Sequence, residues 1–419
     1  MAQTVGGFVL SILYTLYILC IFYIPFILGS HLIRNWMRYI RERSFAKQDY
    51  VLLGLRLPKE VSRSPVGMEI FFTALYQTGA ATLHETYWQG KIRPTFSMEL
   101  ASINGEVKFF IWTRRTFRNI IESQIYAHYP NVEISEVEDY TKLVQHDRSK
   151  IDMWGTIFTF TKSNVFPIRT YIDYGLDKEQ EEETKIDPMT SVLEYLGSLK
   201  KGEQAWIQII IQAHKKEALK EGRFFKRPDW TDAVKAQITK IREEAIQSKD
   251  EEHPGFPNPT KGQQEVIAAM ERNLSKKPFE TIIRGFYISE KDIFNANLGI
   301  TGLIGAFRQY DSNTMNGFKL GKFTDFEDTG KDILTLFGWI WPVGQIMRSV
   351  RNEKEVHMLN LYKRRYAFLE PFGHYNPRPL ILTTEELATI YHFPGQVAST
   401  PTMQRSASKR AEPPPNLPV

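Results

Sequence analysis

The first 33 residues contain no Asp, Glu, Lys or Arg, and this limits what the chain can fold into more than any other feature. Residues 5–28 hold 19 apolar positions among 24, broken only by Gly6, Gly7, Ser11, Thr15 and Pro25. Coiled as a helix, that stretch is about 36 Å long. A hydrocarbon core of roughly 30 Å is thereby crossed with some tilt. Val5, Phe8, Leu16, Cys20, Pro25 and Leu28 mark the expected span. A secretory signal peptide needs a cation ahead of a shorter apolar run, and small residues at a cleavage site. No cation precedes this run, and Phe26, Ile27 and Leu28 crowd its end. The stretch reads as an uncleaved anchor.

Charge sets the orientation. Arg34, Arg38, Arg41, Arg43 and Lys47, offset by Glu42, carry +4 of the chain's net +5. Cytoplasmic flanks hold the Lys/Arg excess, so the N-terminus is expected outside and the bulk cytoplasmic, on a single-pass anchor in the cell (inner) membrane. Trp36 and Tyr39 fall at headgroup level, and Pro25 kinks a helix in a setting that tolerates it. The basic cluster reads as a topology signal plus attraction to anionic lipid, worth roughly 1 kcal/mol per cation. The remaining charge excess is too small for a protein that wraps DNA by overall charge. Cys20 is the only cysteine, which excludes a disulfide framework, a cysteine-rich zinc site and an iron–sulfur cluster.

Beyond the anchor (1–33) and a basic juxtamembrane segment (34–49), the pattern predicts an α+β protein. The expected fold is one transmembrane helix followed by ferredoxin-like lobes with antiparallel or mixed sheets. The first lobe covers 50–150. Met68, Phe71, Phe72 and Leu75 repeat at helical spacing, then Phe96, Met98 and Leu100 alternate with polar or small residues. Asn104-Gly105 follows, the strongest short hairpin signal, because both turn positions need φ > 0. A two-residue turn there pairs Ser102 with Val107, Leu100 with Phe109, and Met98 with Ile111. Glu99 opposite Phe110 and Ala101 opposite Lys108 make the other face more polar. Thr116 is the expected N-cap of a helix carrying Phe117, Ile120, Ile121 and Ile125 on one stripe, which stops before Pro130. Val132 and Ile134 open another strand, giving the outline of a ferredoxin-like sandwich.

The second lobe, 151–310, repeats the logic less regularly. Residues 166–174 read as a strand, and Asp187-Pro188 starts a helix with Asp as cap. The run 205–213 reads as a central strand covered on both faces, with Ile207, Ile209 and Ile211 on one side and Trp206 and Ile210 on the other. Helices over 231–247, 262–273 and 292–307 and a strand over 279–289 complete it. The stretch 311–395 reads as α-rich, with an uncharged aromatic run over 333–347 that includes Trp339 and Trp341 and is too short to span a bilayer. Thr383-x-x-Glu386 is a capping box. The 24 residues after Gly395 hold five prolines and few large apolar groups, and form a disordered tail.

Catalytic chemistry finds no foothold. Asn316-Gly317-Phe-Lys-Leu-Gly321-Lys322-Phe323 imitates a phosphate loop. Its first glycine is one residue too close, and Phe323 replaces the hydroxyl that holds Mg²⁺. His84-Glu85 lacks a second histidine four residues on, and nine scattered histidines without cysteine partners make no metal site. No catalytic, cofactor or metal residues are assigned, and the chain does not read as an enzyme. One basic segment offers binding: Lys215, Lys216, Lys220, Arg223, Lys226 and Arg227, with Phe224 and Phe225 among them, suit a nucleic-acid backbone and stacked bases. A solvated loop beside the acidic run 177–187 is the competing reading.

Phe117-Arg-Asn-Ile-Ile-Glu-Ser-Gln-Ile-Tyr-Ala-His-Tyr-Pro130 and Val132-Glu-Ile-Ser-Glu-Val-Glu-Asp-Tyr140 resemble the N-terminal region of bacterial membrane-anchored conjugative-transfer (type IV secretion) ATPases. Gly202-Glu-Gln-Ala-Trp-Ile-Gln-Ile209, Thr384-Glu-Glu-Leu-Ala-Thr-Ile-Tyr-His-Phe-Pro394 and Lys409-Arg-Ala-Glu-Pro-Pro-Pro-Asn-Leu-Pro418 resemble it too. The resemblance covers roughly 50–140, 200–213 and 360–419. It implies a membrane anchor, a cytoplasmic platform and a tether, without the nucleotide-binding domain. A single-pass scaffold of a DNA-transfer apparatus is therefore expected, working with a separate ATPase. Membrane lipid is the first expected partner, with nucleic acid and self-association as further ones. The alternative is a membrane-tethered nucleic-acid-binding module.

Overall fold

Asn104 and Gly105 turn the chain with φ of 56° and 82°, the left-handed pair that a two-residue hairpin demands. The register that follows is the expected one: Ser102 faces Val107, Leu100 faces Phe109, and Met98 faces Ile111. In the computed structural model of the chain, the described residues are 2–58, 64–79, 81–178, 186–215, 229–246, 258–324, 343–368, 378–395 and 405–406. The side chains of 343–352, and most of those of 2–20, lie outside the description.

Helix α1 (Ala2–Ala46) leads into strand β1 (Tyr50–Pro58). Helices α2 (Val66–Ala74) and α3 (Leu83–Tyr87), hairpin β2 (Thr95–Ile103) and β3 (Glu106–Arg114), helix α4 (Arg118–His128) and strand β4 (Glu133–Glu136) complete the first lobe. The second begins with β5 (Ile151–Phe160), α5 (Met189–Gly197) and β6 (Glu203–Ala213). It continues with α6 (Trp230–Glu244), α7 (Lys261–Leu274), β7 (Pro278–Glu290), α8 (Ala296–Phe307) and β8 (Phe318–Phe323). Helix α9 (Val343–Lys363), strand β9 (Leu380–Thr383), helix α10 (Thr384–Ile390) and the two-residue β10 (Arg405–Ser406) follow.

The protein is a mixed α+β fold built on one large, almost wholly antiparallel sheet. Its order is β10-β1-β3-β2-β6-β7-β5-β8, with β4 also on β1 and β9 also on β7; only β10 pairs in parallel. The connectivity repeats. β1-α2-β2-β3-α4-β4 lies as β4-β1-β3-β2, and β5-α5-β6-β7-α8-β8 lies as β8-β5-β7-β6, with α6 and α7 inserted where the first lobe has its tight turn. Each lobe's second strand pairs with the other's, β2 against β6 over nine residue pairs. The lobes therefore share one sheet instead of carrying separate ones. Strands β8 and β9 extend that sheet past residue 310, into the stretch read as α-rich.

Alternation assigns the faces. On one side Leu53, Met98, Leu100, Phe109, Ile207 and Ile209 pack under α2, α4, α5, α8 and α10. On the other, Phe110, Trp112, Trp206, Ile210 and Phe286 pack under α9 through Met358, Leu359 and Tyr362. Burying each such side chain contributes about 1.5–3 kcal/mol. The expected two-faced burial of the strand around 205–213 is borne out. Helices α6 and α7 bury a smaller cluster of their own around Trp230, Ile238 and Met270.

Three local expectations are corrected. Residues 166–174 form turns, not a strand, because Ile168, Thr170 and Tyr171 hydrogen-bond to α10 side chains and one another's turns rather than to a sheet edge. Thr116 caps nothing: it sits inside a short 3₁₀ turn, Arg115–Phe117, and α4 starts at Arg118. Pro188, one residue past Asp187, is the N-cap of α5, while the Asp187 carboxylate still accepts the Met189 N–H at 2.8 Å. Among the described residues, no helix is long and apolar enough to cross a membrane; the side chains of Val5, Phe8 and Leu16 lie outside them.

Candidate functional site

Helix α1 does not end in a floppy linker. Met37 and Ile40 are buried against the body, and Trp36 Nε1 donates to the Tyr87 carbonyl at 2.9 Å. Gly90, at φ 64°, comes so close that a Cβ there would stand 2.4 Å from the Ile40 carbonyl oxygen. A glycine is what this backbone-to-backbone approach requires. Farther down, the Phe45 ring meets Tyr50, Trp112 and Tyr366 at 4.9, 6.2 and 5.6 Å. Arg34, Arg38, Arg43 and Lys47 are exposed along this docked section and Arg41 is half-buried. Cys20, Pro25 and Leu28 are exposed on the free section.

Beneath α9 a buried polar row crosses the boundary between the lobes. Glu99 of β2 faces Gln208 of β6, and Gln208 faces Arg284 of β7. Arg365, just past α9, forms a two-pronged pair with Glu99, Nε and Nη2 each 3.0 Å from a carboxylate oxygen. Arg365 also binds Asp139. Tyr140 donates to Glu99 at 2.9 Å and lies 2.8 Å from the Tyr362 hydroxyl. Burial pulls the Arg365 guanidinium down, but Glu99 and Asp139 hold it well above its ordinary value. Burial, then the Glu99 charge, pushes Tyr140 far up. Burial lowers Arg284 to about 10, and its Nη1 still donates to Gln208 at 3.0 Å. Glu99, Gln208, Arg284, Tyr362 and Arg365 are buried, and of their guanidinium nitrogens the Arg284 Nε is left without a hydrogen-bond partner among the described residues. The arrangement locks α9 to both lobes; it does not hold a nucleophile or an open general acid.

Two histidine pairs fasten chain ends. His214 closes β6, and its Nε2 lies 3.0 Å from Asp229, just ahead of α6. The residues that flank the basic segment are thus held together. Burial lowers the His214 pKa, but Glu280 and Asp229 bring it net above its ordinary value. Lys215 is exposed at that base; Lys216, Lys220, Arg223, Phe224, Phe225, Lys226 and Arg227 lie outside the described residues. Arg93 donates to the Ala213 carbonyl at 2.8 Å, so residues 90–93 touch α1 at one end and the loop base at the other. That spacing is at most about 10 Å of chain. The second pair joins His392 to Asp187 at 3.2 Å, with Nδ1 2.8 Å from the Ala388 carbonyl. Both ring nitrogens face acceptors, which suits an imidazolium.

Among the described residues no group of three or more His, Cys, Asp or Glu side chains is placed to hold a metal ion. Sequence reasoning missed the polar row, although a signal was present: Glu99 and Gln208 stand between apolar neighbours, and Arg284 follows Ile282-Ile283. It likewise missed Gly90 and Trp88, which no local pattern marks as the seat of α1.

A family model, Domain of unknown function (DUF8128), matches residues 52–406. The chain belongs to the DUF8128 family. The match opens inside β1 and closes at β10, so the DUF8128 region is the shared sheet with its helices, and α1 precedes it. No curated protein matches the chain.

Proposed function

We propose that the protein is a single-pass membrane scaffold of a type IV secretion or conjugative DNA-transfer apparatus, acting with a separate ATPase and not itself hydrolysing ATP. In this reading α1 spans the inner membrane with its N-terminus outside, and two ferredoxin-like lobes form a platform on the cytoplasmic side. One observation carries the anchor. Ile21, Tyr23, Ile24, Phe26, Ile27 and Leu28 are all exposed, from 49% to 62%, over two consecutive turns. A helix surface this apolar and this exposed over two turns suits an apolar solvent. The secretion assignment is supported by the five sequence stretches that resemble the conjugative-transfer ATPases. Crosslinking in native membranes, followed by mass spectrometry, tests it: a transfer-system ATPase is expected among the partners. Recovery of no transfer component, from cells that express such a system, contradicts it.

The pinned base at His214–Asp229 favours a second reading, a membrane-tethered nucleic-acid-binding module that uses the loop from Lys215 to Arg227. Binding to single-stranded DNA is then expected to weaken steeply with salt and to vanish when the six cations become Ala. Unchanged binding in that variant removes this reading.

A further inference from the structure

The turn that seats α1 carries large apolar side chains that are exposed among the described residues. Leu83 is 79% exposed and Trp88 66%, and Trp36 and Tyr39 on α1 are 42% and 55% exposed. The aromatic three form one patch, the Trp36 ring standing 5.8 Å from Trp88 and 6.2 Å from Tyr39, and Leu83 opens the short helix that ends at Trp88. We infer that this patch, made by α3 and the first docked turn of α1, is a second membrane contact that sits in the headgroup layer of the bilayer crossed by α1. The inference rests on the anchor reading.

Depth, chemistry and rigidity all bear on it. Trp36 lies two residues past Arg34, the first cation after the apolar run; two residues are about 3 Å of helix rise. The polar layer flanking each side of the hydrocarbon is roughly 5–8 Å thick. With the hydrocarbon edge at Ile33, the last residue before Arg34, Trp36 and the Trp88 in contact with it lie within that layer. Trp and Tyr are the residues that favour it, with a ring for the acyl boundary and a polar edge; the Trp36 N–H is taken by the Tyr87 carbonyl, which leaves the Trp88 N–H and Tyr39 O–H for that role. Arg34 and Arg38 at the same level suit anionic headgroups. The Gly90 approach to Ile40 and the Trp36–Tyr87 hydrogen bond fix α3 to α1. The Thr82–Glu85 capping box holds the short helix in shape. The patch is thus carried at a set depth, and two points of attachment fix the tilt of the body against the membrane.

Cys20 is the sole cysteine, so single-site labelling is direct. The full chain is reconstituted in phosphatidylcholine–phosphatidylglycerol vesicles carrying nitroxide lipids, with a fluorophore on Cys20, or on Leu83→Cys, Trp88→Cys or Ile186→Cys in a Cys20→Ser background. The probes at 83 and 88 are expected to lose most of their emission to a nitroxide near the headgroup and less to one deep in the chain. The probe at Ile186, 67% exposed beside Asp187, is the comparison and is expected to stay bright. Strong quenching at Cys20 with none at 83 and 88 above the Ile186 level overturns the second contact and leaves the anchor standing. Probes at 83 and 88 that are unquenched by lipid yet shielded from aqueous iodide overturn it in favour of a protein over the patch. Absence of quenching at Cys20, 83 and 88 alike removes the anchor and the second contact together.

Discussion

Without the Arg365 guanidinium, the fully buried Glu99 loses the cation that binds both of its carboxylate oxygens, leaving Arg284, which bonds to Gln208, as the remaining cation of the row. Removing one partner of a buried pair costs about 3–5 kcal/mol, whereas replacing both with apolar groups is often close to neutral. Arg365→Met is therefore expected to lower the unfolding free energy by that amount in denaturant melts of the full chain. Glu99→Leu added to it is expected to restore much of the loss. Equal stability of Arg365→Met and the parent contradicts the lock. A different sign of pH response belongs to His392. Burial pulls its pKa down but Asp187 raises it net above 6.5, so its contribution is full below that value and fades as pH climbs through the raised one. For Asp187, burial raises the pKa, and His392 brings it net below 3.8, so its contribution is lost only as pH falls through the depressed value. Glu386, pushed up to about 7 by burial, also makes stability fall as pH rises from 4.5. Amide protection of α10, corrected for intrinsic exchange, is expected to decline on the alkaline side. Asp187→Asn is expected to flatten the part of that decline above the Glu386 range; an unchanged decline there contradicts the pair's role.

At the scale of elements, the seat of α1 depends on one close approach. Gly90→Ala puts a Cβ into the Ile40 backbone at a φ that Ala adopts at a cost, with no flexible side chain to give way. Hydrogen exchange is expected to report faster opening of α3 and of residues 36–46 in that variant, with β6 and β7 unchanged. Uniform loss across the sheet contradicts a local seat. The contrast with the hairpin explains what was legible. Asn104-Gly105 states its turn locally, and alternation on both sides fixes the register, so β2 and β3 were readable pair by pair. The first strand, β1, went unread because its buried run Val51–Leu53 and Leu55, interrupted by Gly54, carries no alternation. Residues 166–174 look like a strand, but their hydrogen bonds go to Glu385, Glu386 and Thr389, more than 200 positions later. The apolar run over 5–28 was legible because composition alone marks it. The Glu99–Arg365 pair was not, because its partners are 266 positions apart.

Across the whole molecule, two lobes of the same connectivity share one sheet through β2 and β6, and α9 straps the join from the far face. With nine residue pairs and the polar row spanning that seam, the lobes are expected to unfold together: tryptophan emission and far-ultraviolet circular dichroism should give coincident transitions in denaturant. Two separated transitions contradict a shared core. In the proposed reading, a sheet shared by both lobes and packed against the end of α1 ties the orientation of the whole body to that helix. Alkaline carbonate washing of membranes that hold the full chain, followed by protease treatment of intact cells, tests the central claim most directly. The account predicts that the chain stays in the membrane pellet and that its bulk resists external protease; release into the wash, or digestion of the bulk from outside, contradicts it.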